Sequence, residues 1–256
     1  MRKICLLLVL CLLASVCTAF AEETTEVTDL VGQANAAYNA GDYAAAVPLY
    51  QKAADAGDAA AQYMLGLMYQ LGIGMEPDYD RAFRYYSLAA AQEVPEALTA
   101  VGYFYSQGLG TEQNLDEMLK YYRLAADKYA EPMAQFNLGC CYRDGIGVEI
   151  NDEEMLRYFN LAVAQGNPNA QFNLGFCYYT GRAVEKDYAR AFELYKLSAD
   201  QGFPVALFAV GDCYYLGNGV EKDTAAAAEW YQKSLDAGYE PDEEDQKHLA
   251  DVLGKE

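Results

Sequence analysis

The side chains with chemical potential in this chain are four cysteines beyond residue 21, one histidine and a dense set of carboxylates. Cys141, Cys177 and Cys213 recur 36 residues apart, with Cys140 beside the first. Such a row could form a thiol or disulfide ladder in an oxidising compartment. It could equally be a small apolar residue at one repeated buried position. Neighbouring helices stand about 9–10 Å apart, whereas a disulfide spans at most about 7 Å between Cα atoms. Buried thiols are therefore expected. Four thiolates without a C-x-x-C pair do not suggest zinc. His248 is the single histidine, which argues against a His-built metal site and against Ser-His-Asp or Cys-His catalysis. It is expected at the surface. The G-x-G loops at 145–147 and 217–219 follow no strand and have no phosphate-binding Lys, so they are expected to be helix-to-helix turns. With 38 Asp and Glu, close acid pairs arise by density alone. No catalytic residue, metal or cofactor is expected.

The balance of charge narrows the partners. Against those 38 acids stand 18 Lys and Arg, giving a net charge of -20 and a pI near 4.3. Phosphate recognition needs cations that release counterions, so nucleic acid is not an expected partner, and an anionic membrane surface would repel the chain. The acid runs at 22–23 and 240–245 read as solvated. Apolar residues make up 53% of the chain, enough for a real core. Tyrosine is in excess, with 23 against one Trp.

The first residues read as a targeting segment. Arg2 and Lys3 precede an apolar run from Ile4 to Val16, and Ala19-Phe20-Ala21 is an A-x-A cleavage signal. This predicts a signal peptide over 1–21, cut after Ala21. The run is too short for a membrane span of about 20 residues. Cleavage would take the net charge from -20 to -22. The mature chain is expected to be exported, periplasmic or extracellular, with no membrane span.

The elements that must position these residues are repeats. The pattern A-x-x-x-[LV]-G-x-x-Y occurs five times, around Gly66, Gly102, Gly139, Gly175 and Gly211, at spacings of 36, 37, 36 and 36. Ala, Leu or Val, and Tyr at i, i+4 and i+8 predict one buried face of a helix A, with the Gly admitting a close neighbour. Each helix A should stop at Gly72, Gly108, Gly145, Gly181 or Gly217. Asp78, Asn114, Asn151, Asp187 and Asp223 are N-caps for a helix B. That helix should end near Gly166, Gly202 or Gly238, or at Glu93 or Tyr129 where Gly is missing. Pro95, Pro132, Pro168 and Pro204 fit the first position of the next helix A. The extra residue of the 37 spacing is expected in the turn around 128–131. A shorter hairpin with Gly41-Asp42-Tyr43 precedes the five, and a polar helix follows them.

The pattern A-x-x-x-L-G-x-x-Y, G-x-G-V-x-x-D, A-x-x-x-Y-x-x-[AS]-A resembles the Sel-one-like repeat (SLR), a longer-looped relative of the tetratricopeptide repeat (TPR). The resemblance covers residues 27–239 and implies an all-α, right-handed alpha-alpha solenoid of TPR/SLR helical hairpins. Its parts would be a TPR-like hairpin over 27–57, five Sel-one-like repeats over 59–239 and a capping helix over 242–253. Cysteine-rich secreted members tie helix A to helix B by a disulfide within each repeat. That needs a Cys on each helix B, and this chain has none there.

In TPR-like arrays the helices A line an inner, concave surface. Positions -3, +1, +4 and +5 from the repeat Gly would fall on that stripe, with -5, -1 and +3 in the core. The stripe is aromatic and only lightly charged. A partner-binding groove is thus expected from Tyr63, Tyr103, Phe136, Arg143, Phe172, Phe176, Tyr179, Phe208 and Tyr215. Asn137 and Asn173, two before their glycines, sit where related repeats use Asn against a peptide backbone. Arg143 could pin a carboxylate or a carbonyl. Several of the rings could instead serve packing between repeats. The resemblance implies a non-enzymatic protein–protein interaction scaffold, monomeric, that holds a protein or extended peptide. Cell-envelope glycan or peptidoglycan binding is the alternative, since aromatics also suit sugar rings. An envelope hydrolase is the weakest reading, for want of a nucleophile and base.

Overall fold

A computed structural model of the chain describes residues 25–254. The signal-peptide reading of 1–21 lies outside the described residues. All regular structure among them is helical, and the fold is an all-α helical repeat solenoid. Helix α1 covers residues 25–39. It is followed by α2 (Tyr43–Asp55), α3 (Ala59–Leu71), α4 (Tyr79–Ala91), α5 (Pro95–Gln107) and α6 (Leu115–Arg123), which runs into a π-helical turn (Leu124–Lys128). Then come α7 (Pro132–Asp144), α8 (Asp152–Ala164), α9 (Pro168–Thr180), α10 (Tyr188–Ala199), α11 (Pro204–Leu216), α12 (Thr224–Asp236) and α13 (Glu243–Leu253). The residues group into two compact units, divided between Tyr121 and Tyr122.

The ends of the helices fall where the sequence places them. From α3 to α11 every odd-numbered helix closes on its Gly in the left-handed conformation, with φ between 68° and 80°. The Asp and Asn caps accept hydrogen bonds from first-turn amides of the even-numbered helices, for example Asp187 Oδ1 from the Arg190 N–H at 3.0 Å. This satisfies donors that the helix itself leaves unpaired. The four prolines open α5, α7, α9 and α11.

Within a hairpin, the repeat glycine fixes how near helix B can come. A Cβ built on Gly66, Gly139, Gly175 or Gly211 would stand 2.6, 2.4, 2.9 or 2.5 Å from a ring carbon of Tyr86, Phe159, Tyr195 or Tyr231. Those rings are almost fully buried. Each therefore packs directly against bare backbone, in space that a Cβ would occupy. A second glycine serves the loop. At Gly219 a Cβ would meet the carbonyl oxygen of Tyr188, at the start of α10, at 2.0 Å. Ala183 holds the same left-handed seat with a Cβ, at φ 62°.

Two sequence expectations are corrected. First, the buried third position of helix A is +2, not +3. Met68, Phe104, Cys141, Cys177 and Cys213 are buried, whereas at +3 Tyr69 alone is buried and Tyr105, Tyr142, Tyr178 and Tyr214 are half-buried. Seven residues return to nearly the same helical face, whereas eight overshoot by about 80°. Three of the +3 tyrosines stack on helix B rings, Tyr69 on Tyr85, Tyr105 on Tyr121 and Tyr142 on Tyr158, at 5.7, 5.9 and 5.9 Å between centroids. Second, the extra residue of the 37 spacing does not lengthen a turn. It is taken up inside the helix, in the π turn at Leu124–Lys128. The closing bond there runs from the Glu131 N–H to Ala125 O, where its counterpart runs from Asn167 to Ala162, one residue shorter. Single insertions are absorbed in this way because a π turn holds one more residue per turn. The helix itself stops at Lys128 with Tyr129 as its C-cap, where the sequence reading ends it, and Ala130 follows at positive φ.

One stabilising device is invisible in the helical pattern. The side-chain amide of Gln92 donates to Gly57 O and to Gln62 Oε1, both at 2.9 Å. Gln165 does the same to Ala130 O and Gln135, and Gln201 to Gly166 O and Gln171. Each rung ties one inter-repeat turn to the next and satisfies a buried amide at -4.

Two outcomes are expected from chemical denaturation. Gly211→Ala should lose about 1–3 kcal/mol by driving a methyl into the Tyr231 ring, whereas Gly32→Ala, with open space around it, should gain up to about 1 kcal/mol. Gln201→Ala should cost about 1–2 kcal/mol by stranding Gln171. Equal midpoints for the two glycine variants would refute the packing account.

Candidate functional site

The aromatic residues at -3 are placed by the same rings that rest on the glycines. Tyr63 lies against Tyr86, Phe136 on Phe159, Phe172 against Tyr195 and Phe208 against Tyr231, with centroids 5.7, 5.9, 5.4 and 4.7 Å apart. Each pair joins the two helices of one hairpin. Phe208 is thereby only 3% exposed. Tyr63, Phe136 and Phe172 keep part of their rings accessible.

The remaining predicted residues divide. Tyr103, in the first unit, is 41% exposed and meets only the edge of Phe104 among described rings. Arg143 is already engaged. Its Nε and one terminal nitrogen hold both oxygens of Asp144 at 2.8 and 2.7 Å, and the other nitrogen donates to Asn173 Oδ1 at 2.5 Å. The hydrogen bond from Arg143 keeps the Asp144 carboxyl below its usual range. Asn173 in turn donates to Asn169 O, and Asn137 sits half-buried at the equivalent place one repeat earlier.

Phe172, Phe176, Tyr179 and Phe208 converge. With Tyr195 of α10 and Tyr239 before α13 they line a recess of about 180 Å³, open on one side, whose lining also includes Val205, Ala209, Asp212 and Asp245. The fold explains each wall. Phe172 and Phe208 are held by Tyr195 and Tyr231. The Tyr179 hydroxyl accepts from Asn218 Nδ2 at 3.1 Å, and its ring meets Tyr188 edge-on. Tyr239 packs on Phe208 at 4.9 Å and donates to Asp245 Oδ2 at 2.6 Å. Phe176, at +1 on α9, is 50% exposed.

Asp212 ties the cavity to the last helix. Its Oδ1 accepts from the Tyr231 hydroxyl at 2.7 Å and lies 2.8 Å from His248 Nδ1. Burial pushes this carboxyl above its ordinary range, and the Tyr231 and His248 hydrogen bonds act against that shift. His248 is therefore not the surface residue expected. Its side chain is 22% exposed, faces Asp212 and lies 4.9 Å from the Tyr215 ring. The α13 helix carries it inward because Leu249, beside it, buries against Phe208, Ala227 and Tyr231. Tyr215 donates to Asp251 Oδ2 at 2.7 Å, so it serves this junction.

Sequence reasoning missed Tyr195, Asp212, Tyr239 and Asp245 as parts of one site. Asp212 was legible as a +1 residue of the stripe. Tyr239 and Asp245 follow the last repeat and have no periodic signal. The four thiols are free, and burial raises them all, Cys140 up to about 11 and Cys141 and Cys213 up to about 12. Cys141, Cys177 and Cys213 are buried and Cys140 is half-buried, and with raised pKa all four favour the protonated thiol at neutral pH. Among the described residues no group of His, Cys, Asp and Glu is arranged to hold a metal ion, and no helix is long and apolar enough to cross a membrane.

The fold has solved counterparts. A Sel1 repeat protein from Oxalobacter formigenes is 30% identical, with a TM-score of 0.78 over 88% of this chain and 90% of its own. The c5321 protein, a protective antigen of uropathogenic Escherichia coli strains with an SLR fold, is 28% identical at a TM-score of 0.73. That match covers 92% of this chain and 50% of the antigen. The immunity protein Pa5087 of Pseudomonas aeruginosa shares the fold at 24% identity and a TM-score of 0.58, over 80% and 82% of the two chains. Among curated proteins none matches the chain. Sel1 repeat proteins are generally protein–protein interaction scaffolds and typically non-catalytic. The Sel1 repeat family model matches residues 33–58, 59–94, 95–129, 132–167, 168–203 and 204–239. Its first segment is the short hairpin that the sequence reads as TPR-like. With six consecutive matches spanning most of its length, this chain belongs to the Sel1 repeat family.

Proposed function

We propose that this protein is an exported, non-enzymatic interaction scaffold whose aromatic groove, centred on the cavity between α9 and α11, holds a protein partner or extended peptide. The observation that carries the reading is Phe176. It is a large ring left half in water at the rim of a cavity whose other rings are fixed by packing. Aromatic side chains supply large contact area at small entropic cost and dominate interface energetics. One chain builds every wall, so a monomer suffices. The stripe around Phe176 also presents Phe172 and Tyr179, which suits a ligand that runs along several helices. Arg143 and Asn173 bond to each other outside the lining of this cavity and extend the stripe beyond it. Export follows from the charged, apolar and A-x-A segments of residues 2–21, and its product should begin at Glu22.

Site-specific photocrosslinking tests the groove. A photoreactive residue at position 176 should capture a defined partner in the native cell. The same residue at position 197, where Leu197 is exposed on α10, should not. Phe176→Ala should reduce partner affinity by about ten- to a hundredfold with an unchanged unfolding midpoint. Equal capture from both positions would remove the assignment. N-terminal sequencing of the product recovered outside the cytoplasm checks the cleavage.

A further inference from the structure

Resting on that reading of the cavity as the partner site, we infer that its occupant is a cationic side chain, a lysine or arginine carried on an extended segment of the partner. The walls are the first argument. Rings from α9, α10, α11 and the segment before α13 surround the space, and ring faces carry negative charge density that attracts ammonium and guanidinium groups. The second argument is the pair of carboxylates. Asp212 and Asp245 line the same cavity, and the lining includes no Lys or Arg.

The existing hydrogen bonds leave capacity on both acids. Tyr231 and His248 both engage Oδ1 of Asp212. The Tyr239 hydroxyl and the Asp242 N–H both engage Oδ2 of Asp245. Oδ2 of Asp212 and Oδ1 of Asp245 take no hydrogen bond from a described residue. A neutral aliphatic guest would desolvate these oxygens without compensation. An anionic guest would meet two like charges on a chain of net charge -20. A lysine or arginine end satisfies both oxygens with charge-assisted bonds while its stem lies on the rings. Size agrees, since an apolar cavity of roughly 150 Å³ holds a benzene-sized group, so about 180 Å³ admits one side-chain end and no folded element.

The test uses the full-length mature chain and three acetylated, amidated pentapeptides, Gly-Gly-Xaa-Gly-Gly, with Lys, Arg or norleucine at the centre. Binding is followed by amide chemical shifts of Phe176, Tyr179 and Ala209. The Lys and Arg peptides should bind about tenfold tighter than norleucine. Asp212→Asn, which keeps the shape and the Oδ1 acceptor, and Asp245→Asn should each erase most of that preference. Phe176→Ala should weaken all three peptides. Equal binding of norleucine, a preference that survives both Asn variants, or no shift with any peptide would overturn the inference. So would an N-acetylglucosamine trimer that shifts the same amides in place of the basic peptides. Partner capture from position 176 would survive the first two of these results, which separates failure of the cation assignment from failure of the partner site. Loss of that capture together with indifference to Phe176→Ala would end both.

Discussion

The contact of a helix B ring with the bare backbone of a helix A glycine is the constraint on which the rest depends. It sets the separation of the two helices in each hairpin where it is seen, from Gly66 with Tyr86 to Gly211 with Tyr231. Once the ring is pinned on one side, its outer side is available to the aromatic residue at -3. Phe172 and Phe208 take up that position. Tyr195 therefore has two duties, closing the core against Gly175 and forming a wall of the cavity. Core and site are made of the same rings, so a change that loosens one loosens the other.

The legible part of this fold is the punctuation. Glycine at the helix A termini from α3 to α11, Asp or Asn before each helix B and proline at four of the restarts act through local backbone chemistry, and all fall where the residues indicate. What periodicity misjudges is the side of the helix at long range, as with the tyrosines at +3. Nor can it separate a ring that awaits a ligand from one that awaits another ring. Phe208 and Phe176 lie on the same predicted stripe, yet one is sealed under Tyr239 and the other stands half in water. The difference comes from Tyr239 and the α13 helix, which are not repeats. The glutamine rungs escaped for a related reason. A polar residue at -4 reads as surface until the turn it reaches is known.

Charge changes its meaning between sequence and structure. As a total, -20 argues against polyanionic partners. As a distribution, it leaves two carboxylates in an aromatic recess, one of them held by the single histidine. The same histidine that argues against triad and metal chemistry belongs to the junction that keeps the last helix against α11. The cysteines move the other way. Their regular spacing suggests redox chemistry, but burial leaves them as neutral packing units.

The π turn at Leu124–Lys128 has a consequence for how such chains change length. In an ordinary helix one added residue rotates everything beyond it by about 100°, so the buried face would point to solvent. Here Ala125 and Ala126 remain buried and the Glu131 cap and Pro132 start keep their places. The error is confined to the width of a single turn. The extra residue at this place is thereby absorbed before the next helix begins, and α7 starts in the same phase as its counterparts.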